Sequence, residues 1–207
     1  MNNRIRILIA DDHAMVRMGL RVLLETEPDL EVVGEAKNGE AAVAEALRLR
    51  PDVVVMDLMM PRMDGIEATR ELAARAPDAK VLLLTTFSTS DGLAEALAAG
   101  ARGAFMKSVE DTALIAAIRK VAAGETAIAP DVRRLIREDP PAAKLTPRQR
   151  DILASITRGL TNKEIAAQLG IRADGVNLHI MEILSKLGAS NRTEAVAIAL
   201  RKHLLKL

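Results

Sequence analysis

The chain contains no cysteine, no tryptophan and no tyrosine, and it has only two phenylalanines among its 207 residues. Without cysteine it forms no disulfide bond and no thiolate metal site, so any metal must be held by oxygen or histidine ligands. Because both phenylalanines lie before residue 106, residues 144–207 have no Phe, Tyr or Trp side chain on which single-stranded bases could stack.

Long apolar runs are also missing. No stretch approaches the roughly 18 consecutive apolar residues that a membrane span needs. The N-terminal sequence MNNRIRILIADD reaches acidic residues where a signal peptide would continue its apolar region. The sequence therefore predicts a cytoplasmic protein without a membrane partner.

Charge is divided unevenly along the chain. Residues 1–124 carry 15 Lys and Arg against 19 Asp and Glu, whereas residues 144–207 carry 11 against 5. The length is greater than that of a usual single domain, and 49% hydrophobic residues suffice for packed cores. We therefore expect two domains, of which the second, basic one binds a polyanion.

The first 124 residues alternate between short apolar runs and alanine- and leucine-rich stretches with charges on one side. This alternation predicts a five-stranded, doubly wound parallel α/β sheet with helices on both faces. The predicted strands are IRILIA, EVVGEA, DVVVMD, KVLLLTT and ARGAFMK. Nucleotide sites common in such folds are not supported, because the turn after the first strand reads ADDHAM instead of a glycine-rich loop, and Gly34 to Gly39 is followed by Glu40 rather than lysine.

Charged and hydroxyl side chains stand at the ends of these strands. Asp11 and Asp12 end the first, Asp57 the third and Thr85 the fourth, and Lys107 follows the fifth. In a doubly wound sheet the carboxyl ends of the strands form the ligand-binding edge. The sequence thus predicts three carboxylates, a hydroxyl and an ammonium at one edge.

Clustered carboxylates repel each other unless a cation neutralises them. Magnesium prefers oxygen ligands and usually takes only one or two carboxylates. Asp12, Asp57 and the backbone carbonyl of Met59 are the predicted Mg²⁺ ligands. Asp57 could then attack a phosphoryl group and form an acyl phosphate, with Lys107 and Thr85 contacting the phosphoryl oxygens.

Over its whole length the first domain resembles the receiver domain of two-component response regulators. The resemblance is carried by IADDHAMVRMGL, VVVMDLMMPRMDGIEA, LLLTT and GARGAFMKS. It implies that Asp57 is the phosphoacceptor, that Asp11 and Asp12 form the acidic pocket, and that Thr85 and Lys107 read the phosphoryl group.

One position departs from that family. Many receivers have Tyr or Phe three residues before the lysine, where this chain has Ala104. Phe105 is adjacent, but neighbouring strand residues point to opposite faces, so we expect Phe105 to be a core residue packed under a helix. The usual threonine and aromatic switch is therefore not predicted for this chain.

Residues 125–143 are predicted to be an interdomain linker with a short helix, DVRRLIRE, between Pro130 and Pro140. Residues 144–207 are predicted to be an all-α domain. Two capping boxes, beginning at Thr146 and Thr161, start helices, and Gly170 ends the second of them before a longer helix. This order matches a helix-turn-helix, whose second helix enters the DNA major groove.

The second domain resembles the LuxR-type helix-turn-helix domains of NarL/FixJ-like regulators. The segments that carry this are LTPRQRDILASITRGLTNKEIAAQLGI and LSKLGASNRTEAVAIAL. The implied DNA-binding residues are Lys163, Arg172, Val176, Asn177, His179, Lys186 and Arg192.

These residues are assigned different parts in DNA binding. Lys163, Arg172, Lys186 and Arg192 are predicted phosphate contacts, and Asn177 is a candidate partner for adenine. His179 is as compatible with a partly buried structural residue as with a DNA contact. The longer helix also has an apolar stripe that is predicted to pack on its own domain, formed by Val176, Ile180, Ile183, Leu184 and Leu187.

Two residues of the longer helix depart from the family pattern. The family commonly has Thr-Val-Lys where this chain has Gly175-Val176-Asn177, which removes a positive charge. A glycine inside a helix costs up to about 1 kcal/mol relative to alanine. DNA affinity is therefore expected to be weak or to depend on dimerisation.

Together these features predict a response regulator whose phosphorylation, by a sensor histidine kinase or a small phosphodonor, controls homodimerisation and binding to inverted repeats in double-stranded DNA. It is not expected to be an enzyme. An aspartyl-phosphate hydrolase would typically have a second aspartate where Met59 stands. The main alternative is a phosphorylation-dependent protein-interaction regulator with a weakened DNA-binding domain.

Overall fold

The computed structural model describes residues 4–86, 89–138, 145–202 and 204. The chain divides into two compact units, residues 1–140 and 141–207.

The first unit alternates strictly between strands and helices. Its strands are β1 (Ile5–Ala10), β2 (Leu30–Ala36), β3 (Val53–Met56), β4 (Lys80–Thr85), β5 (Gly103–Met106) and β6 (Ala127–Ile128). Its helices are α1 (Ala14–Glu25), α2 (Gly39–Leu49), α3 (Gly65–Arg75), α4 (Ser90–Ala98), α5 (Asp111–Ala122) and α6 (Pro130–Glu138).

The strands form one parallel sheet in the order β2-β1-β3-β4-β5-β6. The winding direction reverses between β1 and β3, so the ligand-binding edge lies at their carboxyl ends. The predicted doubly wound parallel fold is confirmed, but the predicted number of five strands is wrong. A sixth, two-residue strand, β6, pairs with β5 through Gly103 and Ala104; it is too short to give a periodic signal in the sequence.

Alternate residues of the strands enter two separate apolar clusters, one on each face of the sheet. On one face Leu8, Val54 and Leu83 pack with α2, α3, α4 and α6. On the other face Ile9, Val55 and Leu82 pack with α1 and α5. Because β1, β3 and β4 are buried on both faces, their sequences read as continuous apolar runs.

Residues 125–138 belong to the first unit, so the predicted boundary at residue 124 and the predicted linker role of this stretch are wrong. Ala127 and Ala129 are buried, and Val132 on α6 is fully buried in the cluster that includes α4. The amide of Ala129 donates to the carbonyl of Ala104 at 3.0 Å. The charged residues of DVRRLIRE suggested a solvated connector, but its apolar face packs on the sheet. Residues 139–144 of the predicted linker lie outside the described residues.

We expect Val132→Ala to lower the free energy of unfolding of the first unit by about 2 kcal/mol, because it removes two buried methyl groups. Native-state hydrogen exchange can measure this for each unit separately, using core amides of β3 for the first. The control is Arg134→Ala on the exposed side of α6, which should change little. A difference below a few tenths of a kcal/mol between the variants would show that α6 adds no stability to this unit.

The second unit is entirely helical in its described part. Its helices are α7 (Pro147–Thr157), α8 (Asn162–Leu169), α9 (Ala173–Leu187) and α10 (Arg192–Arg201). Both predicted capping boxes are present, at Thr146 with Gln149 and at Thr161 with Glu164. Gly170 ends α8 with φ of 65°, a conformation that glycine adopts without a steric cost.

The predicted apolar stripe of α9 is confirmed. Val176 and Ile183 are fully buried, Leu187 is buried, and Ile180 and Leu184 pack against them. The stripe meets Ile152 and Leu153 of α7 and Ile165 of α8 in one core. The opposite side of α9 therefore faces away from this core.

Across the described parts of the chain, no helix is both long enough and apolar enough to cross a lipid bilayer.

Candidate functional site

The carboxyl edge of the sheet brings together the charged residues predicted from the strand ends. Asp11 directly follows β1, Asp57 follows β3, Thr85 ends β4 and Lys107 follows β5. The backbone fixes their spacing: the amide of Asp57 donates to the carbonyl of Ala10 at 2.8 Å, and that of Lys107 to the carbonyl of Thr85 at 2.7 Å. These groups are thus held by the continuing ladder of the sheet.

The ammonium of Lys107 lies between two carboxylates. Its Nζ is 2.9 Å from Oδ2 of Asp57 and 2.5 Å from Oδ2 of Asp11. The three side chains are only 10%, 4% and 3% exposed, respectively. Their charges are therefore weakly screened by solvent, and the single ammonium of Lys107 offsets only one of the two carboxylate charges.

This burial changes the proton affinities of the groups. Burial raises the pKa of the Asp57 carboxyl above its ordinary value, and repulsion from Asp11 acts in the same direction, whereas the hydrogen bond and charge of Lys107 oppose it. For Lys107, burial lowers the pKa, but the bonds to Asp11 and Asp57 outweigh it, so its pKa is raised. Lys107 is consequently a fixed positive charge beside Asp57.

Four side chains at this edge form a candidate divalent-cation site. One ligand atom each of Asp11, Asp12, His13 and Asp57 lies within 4.8 Å of the other three. Asp11 and Asp57 are buried, whereas Asp12 and His13 are exposed. A cluster dominated by carboxylate oxygens, open to solvent on one side, fits a hard cation that keeps part of its water shell.

The sequence reasoning missed His13. Its Nδ1 lies 2.7 Å from Oδ1 of Asp12, and its backbone amide donates to Oδ1 of Asp11 at 2.9 Å. The only signal was its position next to Asp12 in ADDHAM.

The other two predicted residues, Met59 and Thr85, follow β3 and end β4 at the same edge of the sheet. The backbone amide of Met59 donates to the Asp57 carboxylate, and Met59 is 58% exposed. Thr85 is fully buried.

Gly65, the first residue of α3, approaches the carbonyl oxygen of Asp57 so closely that a Cβ there would clash with it. The start of α3 can therefore pack against the strand end that carries Asp57 only with glycine at this position.

Ala104 and Phe105 differ in how they are packed. Ala104 is fully buried on the face that α6 covers, where its carbonyl accepts from Ala129. Phe105 is half-buried and contacts the clusters of both faces, so it is not packed simply under one helix as predicted. The small side chain of Ala104 lies where the chain adds β6 and α6 to the sheet.

The predicted DNA-binding residues of the second unit fall into two groups, those engaged in contacts within the unit and those that are more accessible. Val176 is fully buried in the core of the unit, so its assignment as a DNA contact is wrong. Lys186 donates from Nζ to Oε1 of Gln149 at 2.9 Å. Arg192 donates to the carbonyl of Leu160 and, at 3.1 Å, to Oδ1 of Asn162. The half-buried Lys186 and Arg192 therefore link helices within the unit.

The other predicted contacts are more accessible. Lys163 and Asn177 are exposed, and the side chain of Arg172 is 90% exposed, 3.7 Å from Asp174. His179 is half-buried, with Nδ1 3.4 Å from Oε2 of Glu182.

Asn162 was not predicted, but it orients the exposed surface of the helix pair. Its Nδ2 donates to Oδ1 of Asn177 at 2.6 Å, while its own Oδ1 accepts from Arg192. These bonds join α8, α9 and α10 and fix the amide of Asn177, the predicted partner for adenine.

Sequence reasoning also missed Leu178 and Met181 on α9, which are 58% and 67% exposed. Their spacing of three residues, outside the apolar stripe, was the available signal. Gly175 is the third residue of α9 and so lies in its first turn, not in its interior; a Cβ there would meet nothing within 4 Å.

The chain thus combines an α/β unit that has a lysine and several carboxylates at one sheet edge with a helical unit that contains a helix-turn-helix pair. The family model for the response regulator receiver domain matches residues 7–119. The model for bacterial regulatory proteins of the luxR family matches residues 143–199. The chain therefore belongs to the two-component response regulators that carry a LuxR-type DNA-binding domain.

Curated relatives match over nearly the full length. The transcriptional regulatory protein LiaR of Bacillus subtilis is 42% identical over 209 residues, covering 97% of this chain and 99% of LiaR. The response regulator protein VraR of Staphylococcus aureus is 38% identical over 207 residues, covering 98% of this chain and 99% of VraR.

Solved structures that are similar to this chain are also response regulators. The response regulator ChrA of a heme-sensing two-component system has a TM-score of 0.59 and 38% identity, covering 98% of this chain and 100% of ChrA. The response regulator RcsB in complex with DNA has a TM-score of 0.69 and 26% identity, covering 97% of this chain and 99% of RcsB.

Proposed function

We propose that phosphorylation of Asp57 controls dimerisation of this chain and its binding to inverted repeats in double-stranded DNA, and thereby transcription. The observation that carries the first step is the buried Asp57 carboxylate, paired at 2.9 Å with Lys107 beside the acidic cluster. The phosphoryl donor is a sensor histidine kinase or a small phosphodonor.

In this reaction an Asp57 carboxylate oxygen attacks the phosphorus, and the bond from phosphorus to the donor's nitrogen or oxygen breaks. Lys107 is placed to stabilise negative charge on the transferred group, because its ammonium already contacts Asp57. Thr85 ends the neighbouring strand, where its hydroxyl can contact the same group. The receiver thereby stores a phosphoryl group as an acyl phosphate and does not turn over phosphomonoesters.

Asp12, Asp57 and the Met59 carbonyl are the proposed ligands of Mg²⁺, with Asp11 in the same pocket. When bound, the ion neutralises negative charge on the carboxylates and on the incoming phosphoryl oxygens. Asp11, buried and bonded to Lys107, holds the ammonium in place beside Asp57.

For the second unit we propose that α9 enters the major groove, as the second helix of a helix-turn-helix pair does. The net positive charge of residues 144–207 and the exposed Lys163 and Arg172 support contacts with phosphates. The similarity to an RcsB–DNA complex, at 26% identity over nearly the whole chain, supports the same partner.

The test is to incubate the purified chain with sheared genomic DNA from its source, with and without Mg²⁺ and acetyl phosphate, and to sequence the retained fragments. We expect enrichment of an inverted repeat that rises at least tenfold with phosphodonor, because phosphorylation-driven dimerisation places two basic units on two half-sites. Asp57→Asn should lose this rise. Asp78→Asn, an exposed aspartate away from the site, is the matched control and should keep it.

If no sequence is enriched although Asp57 is phosphorylated, DNA is not the ligand of the second unit. A protein partner is then the better assignment. The exposed apolar Leu178 and Met181, together with the acidic Asp174 and Glu182 on α9, are the features that favour it.

A further inference from the structure

The outward side of α9 carries an apolar pair. Leu178 and Met181 are 58% and 67% exposed, and a spacing of three residues places them side by side on a helix. The buried stripe of α9, which includes Val176 and Ile183, points into the core of the unit. The packing of the unit therefore does not account for Leu178 and Met181.

The polar groups of α9 give it little attraction for a polyanion. Between Ala173 and Leu187 it has two acidic residues and one lysine, and that lysine, Lys186, donates to Gln149 of α7. The exposed cations near it, Lys163 and Arg172, lie on α8 and at the residue before α9. Phosphate contacts are thus available beside α9 but not along its outward face.

An apolar face in the major groove has one partner among the base edges. Thymine alone of the four bases carries a methyl group there, and apolar side chains distinguish it by contact. The neighbouring amide of Asn177, oriented by its 2.6 Å bond to Asn162, offers a polar contact adjacent to the apolar pair.

We propose that Leu178 and Met181 determine the DNA specificity of this chain by packing against the 5-methyl groups of thymines in each half-site. The proposal rests on the proposed function, since it requires α9 to lie in the major groove. The new proposal goes beyond the proposed function because it assigns recognition of base sequence to Leu178 and Met181, whose side chains act by apolar contact and not by hydrogen bonds to bases.

Uracil provides a direct test, because it differs from thymine only by the missing methyl group and keeps the same pairing. Starting from the enriched repeat, each thymine of a half-site is replaced singly by uracil, and affinity is measured with wild type, Leu178→Ala and Met181→Ala. We expect about a fourfold loss for wild type at each contacted thymine, the equivalent of one buried methyl group. The variants should bind the original repeat about tenfold more weakly and lose their sensitivity to uracil at the matching position.

The control variant is Leu47→Ala, which shortens an exposed leucine of α2 in the first unit and should keep the full uracil effect. Affinity for DNA of unrelated sequence should be equal in all variants, because the exposed cations are unchanged. A gain in affinity on placing 5-methylcytosine in place of a cytosine at a variable position next to a contacted thymine would further support methyl readout.

The outcomes separate the two proposals. If a repeat is enriched but uracil has no effect, or has the same effect on wild type and both α9 variants, methyl readout is wrong and the DNA-binding function stands. If wild type retains no specific sequence, both proposals fail together.

Discussion

Replacing Asp57 with asparagine is expected to abolish phosphorylation of the chain by acetyl phosphate. The amide keeps the size of the side chain but is not a nucleophile for phosphoryl transfer. Intact-mass spectrometry in the presence of Mg²⁺ should show one added phosphoryl group on wild type and none on Asp57→Asn. Excess EDTA should also prevent the modification of wild type, because the proposed site needs a cation to neutralise its carboxylates.

The matched control is Asp78→Asn, which removes an exposed carboxylate from the same unit and should be phosphorylated as wild type is. Persistent modification of Asp57→Asn at the wild-type rate would place the acceptor at another residue. Phosphorylation of wild type that continues unchanged in EDTA would overturn the assignment of the cation but not that of Asp57.

Replacing Lys107 with methionine is expected to lower the free energy of unfolding of the first unit by about 3 kcal/mol at neutral pH without Mg²⁺. The change removes the positive charge between Asp11 and Asp57, which are 3% and 4% exposed, and removing one partner of a buried ion pair leaves an uncompensated charge. Native-state hydrogen exchange of β3 amides reports this free energy, which is convenient because the chain has no tryptophan.

The loss should become smaller as the pH falls. Burial already raises the pKa of Asp57 in the wild type, and the loss of Lys107 raises it further. A carboxyl whose pKa is higher in the folded than in the unfolded state favours folding while it is protonated, and this contribution is lost as the pH rises through the folded-state pKa. The deficit of Lys107→Met is therefore greatest at neutral pH, and added Mg²⁺ should recover part of it.

Lys120→Met, on the exposed side of α5, is the control for removing a lysine from this unit. It should change the free energy of unfolding by less than about 0.5 kcal/mol. Equal stability of Lys107→Met and Lys120→Met would mean that Lys107 does not compensate the two buried aspartates.

The sequence determined the parallel sheet and the identity of the edge that carries the site. Strands buried on both faces are continuous apolar runs, and the residues that follow them, Asp11, Asp57 and Lys107, must meet at the carboxyl edge of such a sheet. Helix starts in the second unit were equally readable, because the caps at Thr146 and Thr161 depend on contacts within four residues.

Only the tertiary structure decided which side chains contact residues that are distant in the sequence. Val132 joins α6 to the first unit through contacts with the sheet, Lys186 and Arg192 donate to groups on other helices, and Asn162 reaches Asn177 across the helix pair. Local sequence does not contain these pairings, because they depend on how elements far apart in the chain pack. The exposure of Leu178 and Met181 also depends on this packing. The sequence shows that both residues are apolar, but only the packing of α9 on its own unit shows that they face solvent.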